Sequence, residues 1–295
     1  MKSGIVAVVG RANAGKSTLV NVLVGEKVSI VSPKPQTTRD RILGVLTEKD
    51  YQIVFADTPG LYKAESQLNA LMQRTAETTA RDVDLVLFVL DGHAGIKEED
   101  FAAAERFLKK KIPLVVALSK IDIMPEDRLP EALLRCGELG VDVIPVSARK
   151  GKNLKELLKV ILQRLPEREK IFTEDIVSDK SERFMISEIM REKILLKFDK
   201  EIPHGVAIVI NEFQTRPDGK VVDVNLDIVC EKPNHKAILI GKQGKALKEV
   251  SSFARQDMEK FLGKKVFLTT YVKVEERWRD SGRMIAELGY KDLEF

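Results

Sequence analysis

The segment from Gly10 to Ser17 reads "GRANAGKS" and fits the pattern G-x-x-x-x-G-K-S/T. An apolar run ends at Val9 and a helical pattern begins at Lys16, the strand–loop–helix context that this pattern requires. In such a loop, backbone N–H groups surround phosphate oxygens, the lysine reaches the terminal phosphates and the hydroxyl ligates Mg²⁺. The sequence therefore predicts a Mg²⁺-dependent nucleotide site. Its phosphate loop would consist of Gly10, Arg11, Ala12, Asn13, Ala14, Gly15, Lys16, Ser17 and Thr18.

The motif "ADTPG" at residues 56–60 ends another apolar run. An aspartate at the end of a strand can hold a Mg²⁺-bound water, which predicts that role for Asp57. The backbone N–H of Gly60 would reach a terminal phosphate. The motif is common by itself, and its position downstream of the lysine loop is what makes it informative.

The motif "LSKID" at residues 118–122 predicts which base is bound. Asp122 can accept hydrogen bonds from the ring N–H and the exocyclic amine of guanine, a donor pair that adenine lacks. The stem of Lys120, next to Ser119, can cover one face of the base. The motif "VSA" at 146–148 places Ser147 and Ala148 at a further strand end, with the Ala148 N–H on the guanine carbonyl. These elements predict GTP and GDP as ligands.

A polar loop, "PKPQTTRDR" at residues 33–41, lies between the first two motifs. Such a loop can supply a threonine that reaches Mg²⁺ only when a γ-phosphate is present, which makes it an order–disorder switch. Thr38 is our first choice for this metal ligand and Thr37 the second.

A second glycine–lysine loop lies in "LIGKQGKALK", residues 239–248. It lacks the frame of a phosphate loop, and no hydroxyl residue follows its lysine. G-x-x-G between two helices is typical of KH domains, where the loop clamps the backbone of about four nucleotides. Lys232 to Lys248 contains five lysines and no acidic residue, a local polyanion footprint. The predicted single-stranded RNA site has a groove floor of Ile238, Leu239 and Ile240. Its contact residues would be Ile240, Gly241, Lys242, Gln243, Gly244, Lys245 and Lys248.

The 295 residues suffice for two domains, and the composition of 44% apolar and 32% charged residues is that of a globular protein. The net charge of +4 belongs to residues 1–166, with 25 basic and 21 acidic side chains, because residues 167–295 hold 24 of each. No apolar run approaches the roughly 20 residues that span a membrane. Cys136 and Cys230 are predicted to be unpaired thiols in a reducing cytosol.

Apolar runs alternate with helical patterns in the first half of the chain, which predicts an α/β domain with a doubly wound, mostly parallel sheet. Strands are predicted over 5–9, 42–47, 51–56, 84–90, 114–118 and 141–146. Helices are predicted over 16–24, 67–81, 98–110, 129–138 and 154–164.

The second half predicts a smaller α+β domain with the order helix–strand–strand–helix–helix–strand. Its helices are predicted over 181–198, 236–240 and 246–262, its last strand over 266–274, and a helical tail around 277–288. The turn signal "RPDG" separates the two strands of a hairpin. We place the nucleotide domain at 1–166, a linker at 167–180 and the RNA-binding domain at 181–295.

The motifs together resemble the Era family of GTPases over essentially the whole chain. The features that carry the resemblance are "GRANAGKST", "PQTTRDRILGV", "ADTPGL", "SKID", "VSARKG" and "ILIGKQGKALKEV". The resemblance implies a P-loop GTPase domain joined to a KH domain, and hydrolysis of GTP to GDP and phosphate. It also implies binding to small-subunit ribosomal RNA, help in assembling that subunit, and a cytoplasmic monomer. The catalytic set would be Lys16, Thr38, Asp57 and Gly60.

Two positions depart from expectation. Leu61 stands where Ras-like GTPases place a water-orienting glutamine, and a leucine cannot hold the attacking water. Related GTPases with an apolar residue there use a phosphate-loop asparagine with a bound K⁺, a position that Asn13 occupies; a purely structural turn asparagine is the alternative. Ser119 stands where the family has asparagine, and a shorter side chain can do less for the nucleotide.

Other functions stay open at this point. One alternative is a signalling GTPase, associated peripherally with the cytoplasmic face of the inner membrane, whose KH-like domain binds protein. Another is a GTPase whose KH-like tail has lost RNA binding, against which the intact GKQG loop argues. The single tryptophan, Trp278, is predicted to pack in a core, with stacking on RNA as its alternative role.

Overall fold

The computed structural model describes residues 1–60, 66–80 and 83–290. A six-stranded sheet in the order β2-β3-β1-β4-β5-β6 forms the centre of the N-terminal domain. Every neighbouring pair is parallel except β2 and β3. The strands are β1 (Lys2–Val9), β2 (Ile42–Thr47), β3 (Tyr51–Asp57), β4 (Leu85–Asp91), β5 (Leu114–Ser119) and β6 (Asp142–Pro145).

Helices cover both faces of this sheet because its central strands are mostly apolar; β4, for example, is buried along its whole length. One face packs against the first and last helices through Leu19 and Ile161, and the opposite face packs against the third and fourth through Ala104 and Cys136. The doubly wound α/β prediction is confirmed. The helices are α1 (Lys16–Val24), α2 (Gln67–Thr79), α3 (Glu98–Lys109), α4 (Arg128–Gly137) and α5 (Leu154–Arg164).

The C-terminal domain has the predicted order and a three-stranded sheet, β7-β8-β9, in which β8 is antiparallel to β7 and parallel to β9. Its helices pack on one face of the sheet, around a core that includes Ile189, Leu226 and Met258. Gly219 closes the hairpin turn with φ +71°. The elements are α6 (Glu182–Lys197), β7 (Ala207–Thr215), β8 (Val221–Cys230), α7 (Pro233–Ile240), α8 (Lys245–Leu262), β9 (Lys265–Val274) and α9 (Gly282–Glu287).

Element boundaries differ from the predicted ones by a few residues. β1 begins at Lys2 rather than at residue 5, and α7 begins at Pro233 rather than at residue 236. Proline is well suited to the first turn of a helix because its φ is already helical and its missing N–H would have no partner there. The helix predicted over 67–81 ends at Thr79, and residue 81 lies outside the described part of the chain.

The segment predicted to link the domains is polar, yet it lies along the edge of the nucleotide-domain sheet. The Val177 carbonyl accepts a hydrogen bond from the Val45 N–H, and Phe172 and Ile176 pack against β2 and β3. The Gln52 side chain donates to the Phe172 carbonyl at 2.9 Å. The start of the C-terminal domain is therefore tied to the N-terminal domain rather than tethered loosely.

Trp278 is fully buried, which confirms its predicted core role. Its indole N–H donates to the Gly205 carbonyl at 3.0 Å. The same cluster contains Leu68 and Met72 of α2 and Ile285 of α9. The helix that follows the ADTPG motif is thus packed against the C-terminal domain.

Candidate nucleotide site and RNA loop

A cavity of about 540 Å³ lies at the carboxyl ends of β1, β5 and β6. It is lined by the phosphate loop, by the polar loop that follows α1, and by residues of the two base-selection motifs. Parallel strands bring their carboxyl ends to one edge of the sheet, so motifs far apart in sequence meet there. Predicted site residues on its wall are Ala12, Asn13, Gly15, Lys16, Ser17, Thr18, Thr37, Thr38, Gly60, Ser119, Lys120, Asp122 and Ala148.

The phosphate loop curls tightly before α1. Asn13 and Gly15 have positive φ values of 62° and 96°, and such backbone turns its N–H groups toward one point. The Lys16 ammonium donates to the carbonyls of Gly10 at 3.1 Å and Arg11 at 2.9 Å. Burial lowers the pKa of Lys16 to about 8, although the Asp57 carboxylate opposes that shift.

The residues predicted to hold Mg²⁺ come together. The Ser17 and Thr38 hydroxyls are 2.9 Å apart, and Thr38 is buried. Asp57 is fully buried, and neither of its carboxylate oxygens has a hydrogen-bond partner within the described ranges. Burial raises the pKa of Asp57, with the neighbouring Ser17 hydroxyl and the Lys16 ammonium opposing the shift.

This donor set fits a divalent cation. Mg²⁺ prefers hard oxygen ligands and keeps several waters while binding one or two protein groups and substrate phosphates. Two hydroxyl oxygens side by side and an unpartnered buried carboxylate offer that chemistry, and a cation would compensate the cost of burying the carboxylate. Ser17 and Thr38 would be the ligands, and Asp57 would hold a coordinated water.

Thr37 and Thr38 have different environments. The Thr37 hydroxyl donates to the Lys34 carbonyl at 2.6 Å and lies 2.7 Å from the Ser32 hydroxyl, so it stabilises the bend of its own loop. Of the two threonines, Thr38 is the one that faces Ser17.

Gly60 comes close to the phosphate loop. A Cβ at this position would lie 2.7 Å from the Ala12 backbone nitrogen, closer than real contacts allow. A glycine is therefore required where this chain segment meets the loop. Leu61, the residue predicted to leave the attacking water without a holder, lies outside the described residues.

On the base side of the cavity, the Ser119 hydroxyl donates to the Ala14 carbonyl at 2.6 Å. The serine thus makes a contact with the phosphate loop. The Lys120 ammonium donates to the Asn13 carbonyl and to Asp91, each at 2.6 Å, and this holds its stem along the cavity. Asp122 is exposed on the cavity wall, where a guanine base can reach it.

Two predicted residues direct their side chains elsewhere. The Arg11 guanidinium pairs with Asp100 at 2.7 Å and donates to the Gly95 carbonyl, so its backbone carbonyl is its contribution near Lys16. The Ser147 hydroxyl is buried and accepts from the Lys150 N–H at 3.1 Å. It shapes the loop that presents Ala148.

Two contacts at this site were not predicted from the sequence. The Asn13 amide donates to the Pro33 carbonyl at 2.6 Å, which joins the phosphate loop to the polar loop. Leu196, from the first helix of the C-terminal domain, lines the nucleotide cavity. No spacing rule connects a residue of one domain to a cavity in the other, so the sequence contains no local signal for this contact.

The GKQG loop is exposed between α7 and α8 and has an unusual backbone. Gly241 has φ +72° and ψ 176°, and a Cβ there would lie 2.6 Å from that of Ala246. Gln243 and Gly244 have φ +53° and +75°, but space around Gly244 is open. Gly241 is thus required by the fold, while Gly244 leaves room for a ligand.

The three apolar residues before this loop do not share one surface. Leu239 is buried in the domain core, whereas Ile238 is about half exposed. Successive residues of a helix point about 100° apart, which separates neighbours onto different faces. The prediction that all three form a groove floor was wrong for Leu239. Ile240 is partly buried, and Lys242, Lys245 and Lys248 are exposed around the loop.

Each domain of the chain matches a known family model. The family model of the 50S ribosome-binding GTPase matches residues 5–120, and that of the KH domain matches residues 201–279. GTPase Era of Clostridium kluyveri is 43% identical over 293 residues, 99% of this chain and 100% of the relative. GTPase Era of Clostridium novyi is 45% identical over 294 residues, 99% of each protein.

Two solved structures have the same fold over nearly the whole chain. Aquifex aeolicus Era bound to GDP and AlF₄⁻ superimposes with a TM-score of 0.94 at 38% identity, covering 98% of this chain and 99% of that one. Era in complex with MgGDPNP and nucleotides 1506–1542 of 16S ribosomal RNA has the same TM-score, identity and coverage.

The fold and the site define a GTPase: an α/β domain with a guanine nucleotide cavity, followed by a KH domain. The chain belongs to the Era family of GTPases. In the part of the chain that the structure describes, no helix has the length and apolar character needed to cross a membrane.

Proposed function

We propose that this GTPase is a molecular switch that binds small-subunit ribosomal RNA through its KH domain and assists assembly of the small ribosomal subunit. The observation that supports this most is the lysine-rich GKQG loop at the surface of a chain that also has a cavity lined by the predicted phosphate-loop and base-selection residues. A related Era protein is described with MgGDPNP and a 16S ribosomal RNA segment together. We further propose that the protein acts as a cytoplasmic monomer.

We assign hydrolysis to residues of the phosphate loop, the polar loop at 33–41 and the ADTPG motif. Lys16 would neutralise charge on the β- and γ-phosphates, and its buried position makes that interaction stronger than in water. Thr38 and Ser17 would ligate Mg²⁺, which neutralises the charge that develops on the phosphate oxygens. The Gly60 N–H would donate to the γ-phosphate, and this hydrogen bond would be lost when hydrolysis removes that phosphate.

K⁺ is proposed as a second cation, held by Asn13. The Asn13 amide nitrogen donates to the Pro33 carbonyl, and the amide oxygen is the atom that would face a cation. Faster hydrolysis in K⁺ than in Na⁺, with the difference abolished in Asn13→Ala, is the expected result. Equal rates in both salts would leave Asn13 with a structural role only.

For the RNA, the proposed interaction is a clamp on the sugar–phosphate backbone. The open space around Gly244 admits a phosphate, and Lys242, Lys245 and Lys248 would release counterions from it. The partly buried Ile240 would lie beneath a base. The direct test is to crosslink the protein to RNA in cells and sequence the bound segments. Enrichment of small-subunit ribosomal RNA would support the proposal, and the absence of crosslinked RNA would favour the signalling alternative, whose KH-like domain binds protein.

A further inference from the structure

The polar loop that contains Thr38 is held by the C-terminal domain. The Val31 N–H donates to the Glu192 carboxylate at 3.0 Å, and the Lys34 ammonium contacts Asp199 at 2.9 Å. Both acidic residues lie on or just after α6. Contacts from α6 and from the residues that follow it therefore hold the chain on the N-terminal side of Thr38.

Arg191 of α6 makes a contact next to Thr38. Its guanidinium donates to the Thr37 carbonyl and is paired with Glu188, whose carboxylate lies 2.7 Å from the Arg191 Nε. Arg191 is only 1% exposed. Burial alone lowers the pKa of Arg191, but the Glu188 carboxylate, together with Tyr290 and Glu192, more than offsets this and keeps the pKa raised.

The Thr37 carbonyl and the Thr38 N–H belong to the same planar peptide unit. A hydrogen bond to that carbonyl therefore restricts the orientation of the backbone that carries the Thr38 side chain. Thr38 in turn lies 2.9 Å from Ser17 across the proposed metal site. Arg191 is thus one peptide unit away from a proposed Mg²⁺ ligand.

Arg39, on the other side of Thr38, is also held by the C-terminal domain. Its guanidinium is 4% exposed and donates to the carbonyls of Val206 at 2.6 Å and His204 at 2.8 Å. The charge lies 5.8 Å from the centre of each of the Trp278 and Tyr290 rings. A buried guanidinium is costly without such partners, which makes this anchor specific.

We propose that Arg191 is a positioning residue of the GTPase centre, contributed by the RNA-binding domain, that holds Thr38 in its Mg²⁺-binding position with Arg39 as a second anchor. This rests on the proposed role of Thr38 as a metal ligand. Since coupling between sites is reciprocal, GTP favours the domain arrangement in which α6 contacts the loop, and RNA that favours this arrangement strengthens GTP binding.

Arg191→Met in the full-length protein tests the proposal, with Arg183→Met as the matched control. Arg183 lies on the same helix, and its guanidinium donates to the Ile210 carbonyl within its own domain. We expect Arg191→Met to weaken binding of Mg²⁺–GTPγS about tenfold while GDP affinity stays the same, a loss within the range of ordinary site-to-site coupling. Arg183→Met should leave the ratio of the two affinities unchanged.

Arg191→Lys provides a milder variant, since it keeps the charge but loses the forked geometry. It should fall between wild type and Arg191→Met in the GTPγS-to-GDP ratio, and it covers the case in which the methionine variant does not fold. Equal losses for both nucleotides, or no change in either variant, would overturn the proposal, because the proposal requires a loss specific to the nucleotide whose γ-phosphate brings Thr38 to Mg²⁺.

Thr38→Ala separates this inference from the proposed function on which it rests. If Thr38→Ala lowers the GTPγS-to-GDP ratio and Arg191→Met does not, Arg191 has no positioning role and the Mg²⁺ assignment stands. If Thr38→Ala leaves the ratio unchanged, the assignment of Thr38 itself is wrong.

Discussion

The two glycine–lysine loops use the same residue types in opposite ways. In the phosphate loop, Lys16 is 6% exposed and donates to two backbone carbonyls of the loop itself. In the GKQG loop, Lys242 and Lys245 are exposed. A buried, pre-formed loop suits one small ligand with a metal ion, whereas exposed lysines suit a long polyanion that binds by releasing counterions. The burial of the lysines, more than the residue composition of the loop, therefore distinguishes a site suited to a nucleotide from one suited to a polyanion.

Asp122→Asn tests the motif at residues 118–122, which is predicted to select the base of the nucleotide bound at the phosphate loop. The substitution keeps one acceptor oxygen for the guanine ring N–H but turns the other into an NH₂ donor, which faces the exocyclic amine of guanine. One hydrogen bond to a charged group is lost, the other becomes neutral and two donors oppose each other, so GTP affinity should fall about 10³-fold. Xanthine nucleotides, whose ring carries the complementary acceptor, should gain affinity. Displacement of a fluorescent GDP analogue from the protein, by GTP or by XTP, measures the affinities for the guanine and the xanthine nucleotide. Full GTP affinity in the variant would refute the assignment of Asp122.

Gly244→Asp is the corresponding test of the second loop. A carboxylate there repels the RNA phosphate that the N-terminus of α8 would attract, so single-stranded RNA affinity should fall roughly 100-fold. GDP affinity should not change if the loops are independent sites. The control is Gly219→Asp, because Gly219 also has a positive φ with open space around it, in the hairpin turn.

RNA titration of both variants, beside a GDP titration, decides between the outcomes. Wild-type RNA binding by Gly244→Asp would reduce GKQG to an ordinary turn. Loss of GDP binding by the same variant would mean that the two loops are not separate sites.

A smaller effect should appear in the pH dependence of nucleotide binding. The pKa of Lys16 is lowered to about 8 in the protein, and bound phosphates would raise it again. Above that pH the complex holds more protons than the free protein, so GDP affinity should fall as pH rises, at most tenfold per pH unit. In Mg²⁺-free buffer, guanosine is the control because it shares the base but lacks phosphates. Parallel curves for GDP and guanosine between pH 7.5 and 9.5 would contradict this.

The fold and most of the nucleotide cavity could be predicted because both depend on local patterns. Alternating strands and helices place motifs at one sheet edge, and a motif such as that around Asp122 specifies its own chemistry. The contact of Arg191 with the loop before Thr38 could not be predicted, because it depends on how two domains pack. The prediction that Leu239 lies on the groove floor was wrong because the position of an apolar residue around its helix, and not its hydrophobicity, decides whether it faces the core.

The smallest predicted effect concerns one lysine of the exposed loop. Lys245→Met removes one phosphate contact, so the slope of log affinity against log salt for single-stranded RNA should decrease by about 0.7. The loss should be the same for all RNA sequences, because a phosphate contact carries no sequence information. Lys260→Met is the matched control: Lys260 is exposed on the same helix, at its far end from GKQG, where it pairs with Asp257 at 3.4 Å. Titrations at four or more salt concentrations give the slope directly. An unchanged slope in Lys245→Met, or the same decrease in Lys260→Met, would show that the charge around GKQG acts through the domain as a whole and that the loop makes no discrete phosphate contact there.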